Sequence, residues 1–259
     1  MNAALATEWL KLRRSRLWWT TLLAATVAAA LAGLFLFIGQ NPDRARNLGL
    51  LGAKGQLVNV PTDVAGLLNL LGQILTIGGV FIFGILAVWI FGREFADHTI
   101  KDLLALPTSR TSIVAAKFVV VAAWSALLTS YTFAVGIVVA AILRLPGWSW
   151  SVIGTGLFQL LAAVAMTVGL VCVLALATSA GRGYLTGIAA MILIVFTAQV
   201  VAALGYGQYY PWSVPALYIG VAGPAAGHVG VAGVAGVIVV ALASVAATLA
   251  WWRHADQTR

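Results

Sequence analysis

Charge is scarce in this sequence. Of 259 residues, 15 are Lys or Arg and 7 are Asp or Glu, 8% in all, where an ordinary globular chain carries about 25%. A soluble domain of this length cannot bury side chains that are 62% apolar, so a water-soluble globular fold is excluded. Cysteine occurs once, as Cys172. An intrachain disulfide is therefore impossible, and the thiol reads as a small apolar filler. The three histidines, His98, His228 and His254, fall on separate segments and none lies in an H-E-x-x-H pattern, which leaves no metal site and disfavours a membrane hydrolase. No G-x-x-x-x-G-K-[ST] phosphate loop is present. The nearest fragment, GLLGAKG at Gly49–Gly55, lacks both the spacing and the Ser or Thr.

What is abundant is long apolar sequence. Six runs qualify as spans: Trp18–Ile38, Leu67–Phe91, Phe118–Leu143, Val152–Thr178, Tyr184–Leu204 and Val229–Trp252. Bilayer hydrocarbon is roughly 30 Å thick and is crossed by a helix of about 20 apolar residues. The runs are apolar all round, without the alternation of barrel strands. The expected fold is all-α, a single integral membrane domain over residues 1–259 with six transmembrane helices. None of the six runs contains Asp, Glu, Lys, Arg or His, so the ionisable group that a proton-coupled carrier keeps at membrane depth is missing. The polar groups left within spans include Gln73, Thr76, Ser125, Thr129, Gln159 and Gln199. They are candidate path-lining residues, and helix glue is the commoner role for each.

Basic residues set the expected orientation. With both termini inside a bacterial cytoplasmic membrane, eleven Lys and Arg fall on the cytoplasmic side. Four, Arg44, Arg46, Lys54 and Arg144, fall outside. The net charge of +8 then reflects topology and anionic lipid rather than a nucleic-acid partner. Ahead of the first run, Leu5, Trp9 and Leu12 recur at i, i+4 and i+7, on one helical face. Glu8, Lys11 and Arg14 are expected largely elsewhere. The segment 1–17 reads equally as an interfacial amphipathic helix or as a basic flank. Residues 205–228 combine five Tyr or Trp with three prolines, and read as an aromatic belt or as broken, partly re-entrant structure. Gly183 and Gly187 have small-xxx-small spacing.

The densest charge lies between the second and third runs. REFADHTIKDLLALPTSRTSIVAAK, from Arg93 to Lys117, holds seven of the charged side chains. Pro107 ends any helix at or before Leu106. Thr99 to Leu106 makes about two turns, with Ile100, Leu103 and Leu104 on one side and Lys101 and Asp102 elsewhere. Ser109 or Thr111 suits the N-cap of the next helix. A short helix with one apolar side seats in a groove of a soluble partner; the bland reading is a topogenic loop.

The string resembles the cytoplasmic connector of type-2 ATP-binding-cassette exporter permeases. The matching positions are Glu94, Thr99, Leu103, Leu104, Pro107, Ser109, Arg110 and Lys117, with His98 in place of the usual glycine. EWLKLRRSRLWW is similar to the N-terminal segment of small six-span members, including those exporting peptide antibiotics and bacitracin-like compounds. The resemblance implies a non-catalytic permease acting as a homodimer in the lipid bilayer. It further implies two copies of a cytoplasmic ATPase subunit that hold the ATP and Mg, and no cofactor in this chain. Under it, Glu94, His98, Thr99, Ile100, Leu103, Leu104, Pro107, Ser109, Arg110 and Lys117 couple the permease to the ATPase. The alternatives are an ATP-independent channel or carrier, and a membrane anchor or sensor for a signalling partner. An apolar path edged by Ser, Thr and Gln fits a lipid, drug, amphipathic peptide or polyketide equally well.

Overall fold

The computed structural model describes residues 2–49, 61–105, 107–221 and 229–254. Among the described residues the regular secondary structure is all helical, with no strand. A short α1 (Asn2–Arg14) leads into α2 (Leu17–Gln40) and the small α3 (Pro42–Asn47). Then come α4 (Val64–Ala96), α5 (Ile100–Ala105), α6 (Arg110–Ile142), α7 (Trp150–Ala180) and α8 (Tyr184–Ala203). A 3₁₀ turn at Gly207–Tyr209 and the short α9 (Val214–Tyr218) precede α10 (Val231–His254). Six of these, α2, α4, α6, α7, α8 and α10, are long and apolar enough to cross a bilayer. The chain is a multi-pass membrane protein.

Local chemistry sets the helix ends. Asp63, Ser149 and Ser109 are the N-caps of α4, α7 and α6, each accepting from a backbone N–H three residues on, which satisfies one orphan donor. Four C-termini close with a residue in the left-handed region: His98 after α4, Arg144 after α6, Arg182 after α7 and Gly205 after α8. After α4, Thr99 N–H donates to Glu94 O at 3.0 Å and His98 N–H to Phe95 O at 3.4 Å, the paired bonds of a Schellman motif.

The helices outrun the hydrocarbon. The 33 residues of α4 extend about 50 Å, against roughly 30 Å of bilayer core. Residues 93–96 therefore continue α4, and 110–117 already belong to α6. The charged connector shrinks to residues 97–109, and its outermost charges sit on the ends of long helices.

α4 is the central post, packed along α7 and also against α6, α2 and α8; α10 lies on α7. Over its most apolar stretch α4 is 56% buried, whereas α8 is only 11% buried and keeps just Gly187 and Met191 covered. Gly187 lets α8 approach α4, since a methyl group there would collide with Val88 and Thr178. At one end of the bundle lie α1, α5, the close of α4, α7 and α10, and the start of α6 and α8. That end is called the basic end here. The opposite end carries α3, the 3₁₀ turn and α9.

Candidate functional site

The basic end is organised by four buried or half-buried charges from three helices. Lys117 on α6 is fully buried, and Glu94 on α4 and Glu8 on α1 are nearly so. The Lys117 ammonium donates to Glu94 Oε1 and Oε2, both at 2.9 Å, to Glu8 Oε2 at 3.1 Å and to the Ile90 carbonyl at 2.8 Å. Lys11 closes the ring, donating to Glu8 Oε1 at 2.7 Å and Glu94 Oε1 at 2.9 Å. Two ammoniums alternate with two carboxylates, so the cluster is neutral and its donors are used. Burial alone would lower the Lys11 pKa; the carboxylates of Glu94 and Glu8 outweigh it and raise the pKa above the ordinary 10.5. Lys11 therefore stays protonated at neutral pH. Its contribution to folding is full below that ordinary value and is lost only as pH rises through the folded one.

The cluster has an apolar jacket. Leu12 is buried, Leu5 and Trp9 pack against the main core, and Trp9 meets Trp124 edge-on at 6.0 Å. α1 thus turns its apolar face to α6 of its own bundle. Glu8 shares that face, against the expectation that it points elsewhere. In the stripe Leu5, Glu8, Trp9, Leu12 it holds the i+3 position, and α6 answers it with Lys117.

Of the connector residues, Ile100 is buried and Leu103 partly buried against the core. Lys101, Asp102, Ala105, Pro107 and Thr99 are exposed. Leu104 belongs to α5, but its side chain lies outside the described residues, as does Leu106. His98 is exposed with φ of 57°, so histidine takes the left-handed turn that glycine adopts freely. Ser109, rather than Thr111, caps α6, accepting from Ser112 N–H at 3.2 Å. Arg110 crosses to α10 and donates to the carbonyls of Trp252 at 3.3 Å and Arg253 at 3.5 Å. It satisfies orphan acceptors at a helix C-terminus and complements the dipole there. Trp252 is fully buried, its indole N–H on Ser179 Oγ at 3.0 Å, and it meets Phe95 at 5.9 Å. α5 therefore sits on a junction where α1, α4, α6 and α10 are locked to one another.

The polar residues within the spans do not gather into one channel of a single chain. Ser125 and Thr129 are buried in the bundle; Thr129 donates to the Ser125 carbonyl, and Ser125 Oγ has no partner among the described residues. Gln73 bonds Asn69 Oδ1 at 2.6 Å. Gln159 lines a small cavity with Asn69 and Ile219. Thr76 and Gln199 share another cavity, of about 310 Å³, walled by α4, α8 and α9. Trp212 also lines it, and its buried indole N–H has no partner among the described residues. Segment 205–221 is tucked in rather than looped out: Val214 and Pro215 are buried, Tyr210 Oη bonds Thr197 Oγ1 at 2.8 Å, and Asn69 donates to Ile219 O at 2.8 Å. Residues 222–228 lie outside the described residues.

The residues that sequence reasoning passed over are Glu8, Lys11, Trp212 and Trp252. Glu8 had a legible signal, a carboxylate centred on an apolar stripe. The others are defined by partners on distant helices, which periodicity does not reveal.

Comparison with known proteins agrees with this architecture. A family model described as ABC-2 family transporter protein matches residues 4–199. Over 135 residues the chain is 28% identical to the bacitracin transport permease protein of Bacillus licheniformis, covering 52% of this chain and 65% of that relative. The match thus spans just under two thirds of the relative's own length.

Proposed function

The chain belongs to the ABC-2 family of transporter proteins, and from that premise we propose that it is the membrane-spanning permease subunit of an ABC exporter, driven by a separate cytoplasmic ATPase. The observation that carries the proposal is α5. It is a short helix held on a charge-locked junction by Ile100 and Leu103, with Lys101 and Asp102 turned to solvent. A partner gripping α5 moves a rigid unit, because Glu94 and Lys117 tie both arms of the connector to α1. Glu94 then acts within the chain, transmitting motion, rather than by touching the partner.

The basic end faces the cytoplasm, where the ATPase binds ATP and Mg; this chain contributes docking and the path. Two copies supply that path. The cavity between α4 and α8 contributes to that path, with Trp212 offering a hydrogen bond inside an apolar wall. An amphipathic peptide antibiotic suits such a surface, in line with the bacitracin named for the relative.

The test exchanges the exposed charges of α5. Lys101→Glu with Asp102→Lys keeps net charge and bundle packing, and should cut co-purification of the ATPase about tenfold, since close charge pairs at an interface are worth 1.4 kcal/mol or more. Substrate-stimulated hydrolysis should fall with it. Unchanged recovery and unchanged export would show that α5 is only a topogenic loop. Accumulation of substrate by the permease alone in liposomes, on a pH gradient, would replace the exporter reading with a carrier.

A further inference from the structure

A third cavity, a cleft at the basic end, opens between α1, the close of α4 and the start of α8, with a volume of about 460 Å³. Its charged wall is Lys11, Arg14, Arg93 and Asp97. Lys11 is neutralised by the buried cluster. Arg93 pairs with Asp97 at 3.2 Å and lies 5.1 Å over the Trp89 ring. Arg14 remains, exposed and without an ion-pair partner among the described residues. The indole N–H of Trp89 and the hydroxyl of Tyr184, both lining the cleft, make no hydrogen bond among the described residues. One uncompensated cation and two unused donors therefore share a concave site beside aromatic rings of the kind that sit at headgroup depth.

The surface leading away from the cleft is apolar. Ile77, Phe81 and Ile85 are exposed and continue the i, i+4 row of Trp89 and Arg93 along α4, and such rows form ridges on a helix. Leu185, Ile188 and Ile192 are exposed on α8. A ligand matching both parts carries a singly charged group with several acceptor oxygens at one end and hydrocarbon at the other.

We propose that this cleft binds the headgroup of an anionic phospholipid, its phosphate on Arg14, Trp89 and Tyr184 and an acyl chain along the Ile77–Ile85 ridge. The net positive charge of the wall selects an anionic over a zwitterionic headgroup. The hydrocarbon ridge selects a lipid over free phosphate.

Native mass spectrometry of the full chain in detergent micelles tests this, with phosphatidylglycerol, phosphatidylcholine or inorganic phosphate as the probe. Phosphatidylglycerol should be retained about tenfold better than phosphatidylcholine. Arg14→Gln should lose that excess, because a charge-assisted hydrogen bond is of about that size. Arg13→Gln, which removes the same charge outside the cleft, should keep it. Trp89→Phe, which preserves packing, should lower retention several-fold and keep the proposal testable if Arg14→Gln is unstable. Equal losses in Arg14→Gln and Arg13→Gln would reduce the effect to diffuse attraction and overturn the site. So would equal retention of the two lipids, or displacement of the lipid by millimolar phosphate.

Discussion

Lys117 is fully buried, so the loss of a neighbouring carboxylate leaves its ammonium without a counter-charge. Glu94→Ala turns a neutral cluster into one carrying an extra positive charge, and should destabilise the bundle by about 3–5 kcal/mol, the usual cost of breaking a buried pair on one side. Removing both charges is different. Glu94→Leu with Lys117→Met leaves Lys11 paired with Glu8, and should recover most of that loss. Unfolding in mixed micelles of Glu94→Leu, Lys117→Met and the double variant measures the coupling, and additive losses would mean that the two residues do not act as a pair. At this scale the sequence is partly legible. Glu94 and Lys117 stand out because charge is rare here, yet their burial is invisible until α1 and α6 meet. Glu8 is legible only if a carboxylate on an apolar stripe is taken as a demand for a buried cation.

The elements were easier to read than their ends. Six apolar runs become six helices because lipid leaves the backbone no other way to satisfy its hydrogen bonds. Their lengths differ from the runs because a helix continues past the hydrocarbon wherever its residues favour it, as at Arg93–Ala96 and Arg110–Lys117. Caps close the account: Ser109 and Asp63 start helices as their types predict, whereas His98, Arg144 and Arg182 end them where glycine is usual. A left-handed conformation costs an L-residue about 1–2 kcal/mol, partly offset for glycine by its greater freedom when unfolded. His98→Gly should therefore be neutral to stabilising by up to about 1 kcal/mol. It should leave the bonds from Thr99 to Glu94 and from His98 to Phe95 intact. Thermal unfolding of the purified chain measures this. A clear loss of stability would show that the imidazole makes a contact on which the turn depends. The packing of α1 onto α6 was not legible, since Leu5, Trp9 and Leu12 fit a membrane surface and a protein groove alike.

At the scale of the whole molecule the two ends of the bundle differ in charge. The described basic residues divide ten to three between the two ends of the bundle: Lys11, Arg13, Arg14, Arg16, Arg93, Lys101, Arg110, Lys117, Arg182 and Arg253 against Arg44, Arg46 and Arg144. The helices alone do not assign either end to a side of the membrane, and only the positive-inside bias places one of them in the cytoplasm. Single cysteines in a Cys172→Ala background decide the matter. Ser109 and Ser149 are poor sites because both cap helices, so the probes belong at Ala105 on α5 and at Trp148 in the turn after α6. Both are exposed and neither caps a helix. In intact cells an impermeant maleimide should label Trp148→Cys and spare Ala105→Cys, and lysis should make both reactive. The reverse pattern would place α5 outside the cell, beyond the reach of any ATPase, and would end the exporter reading together with the assignment of both termini to the cytoplasm. Equal labelling of both in intact cells would instead break the count of six spans, since α6 is the one span between Ala105 and Trp148 and a single crossing places them on opposite sides.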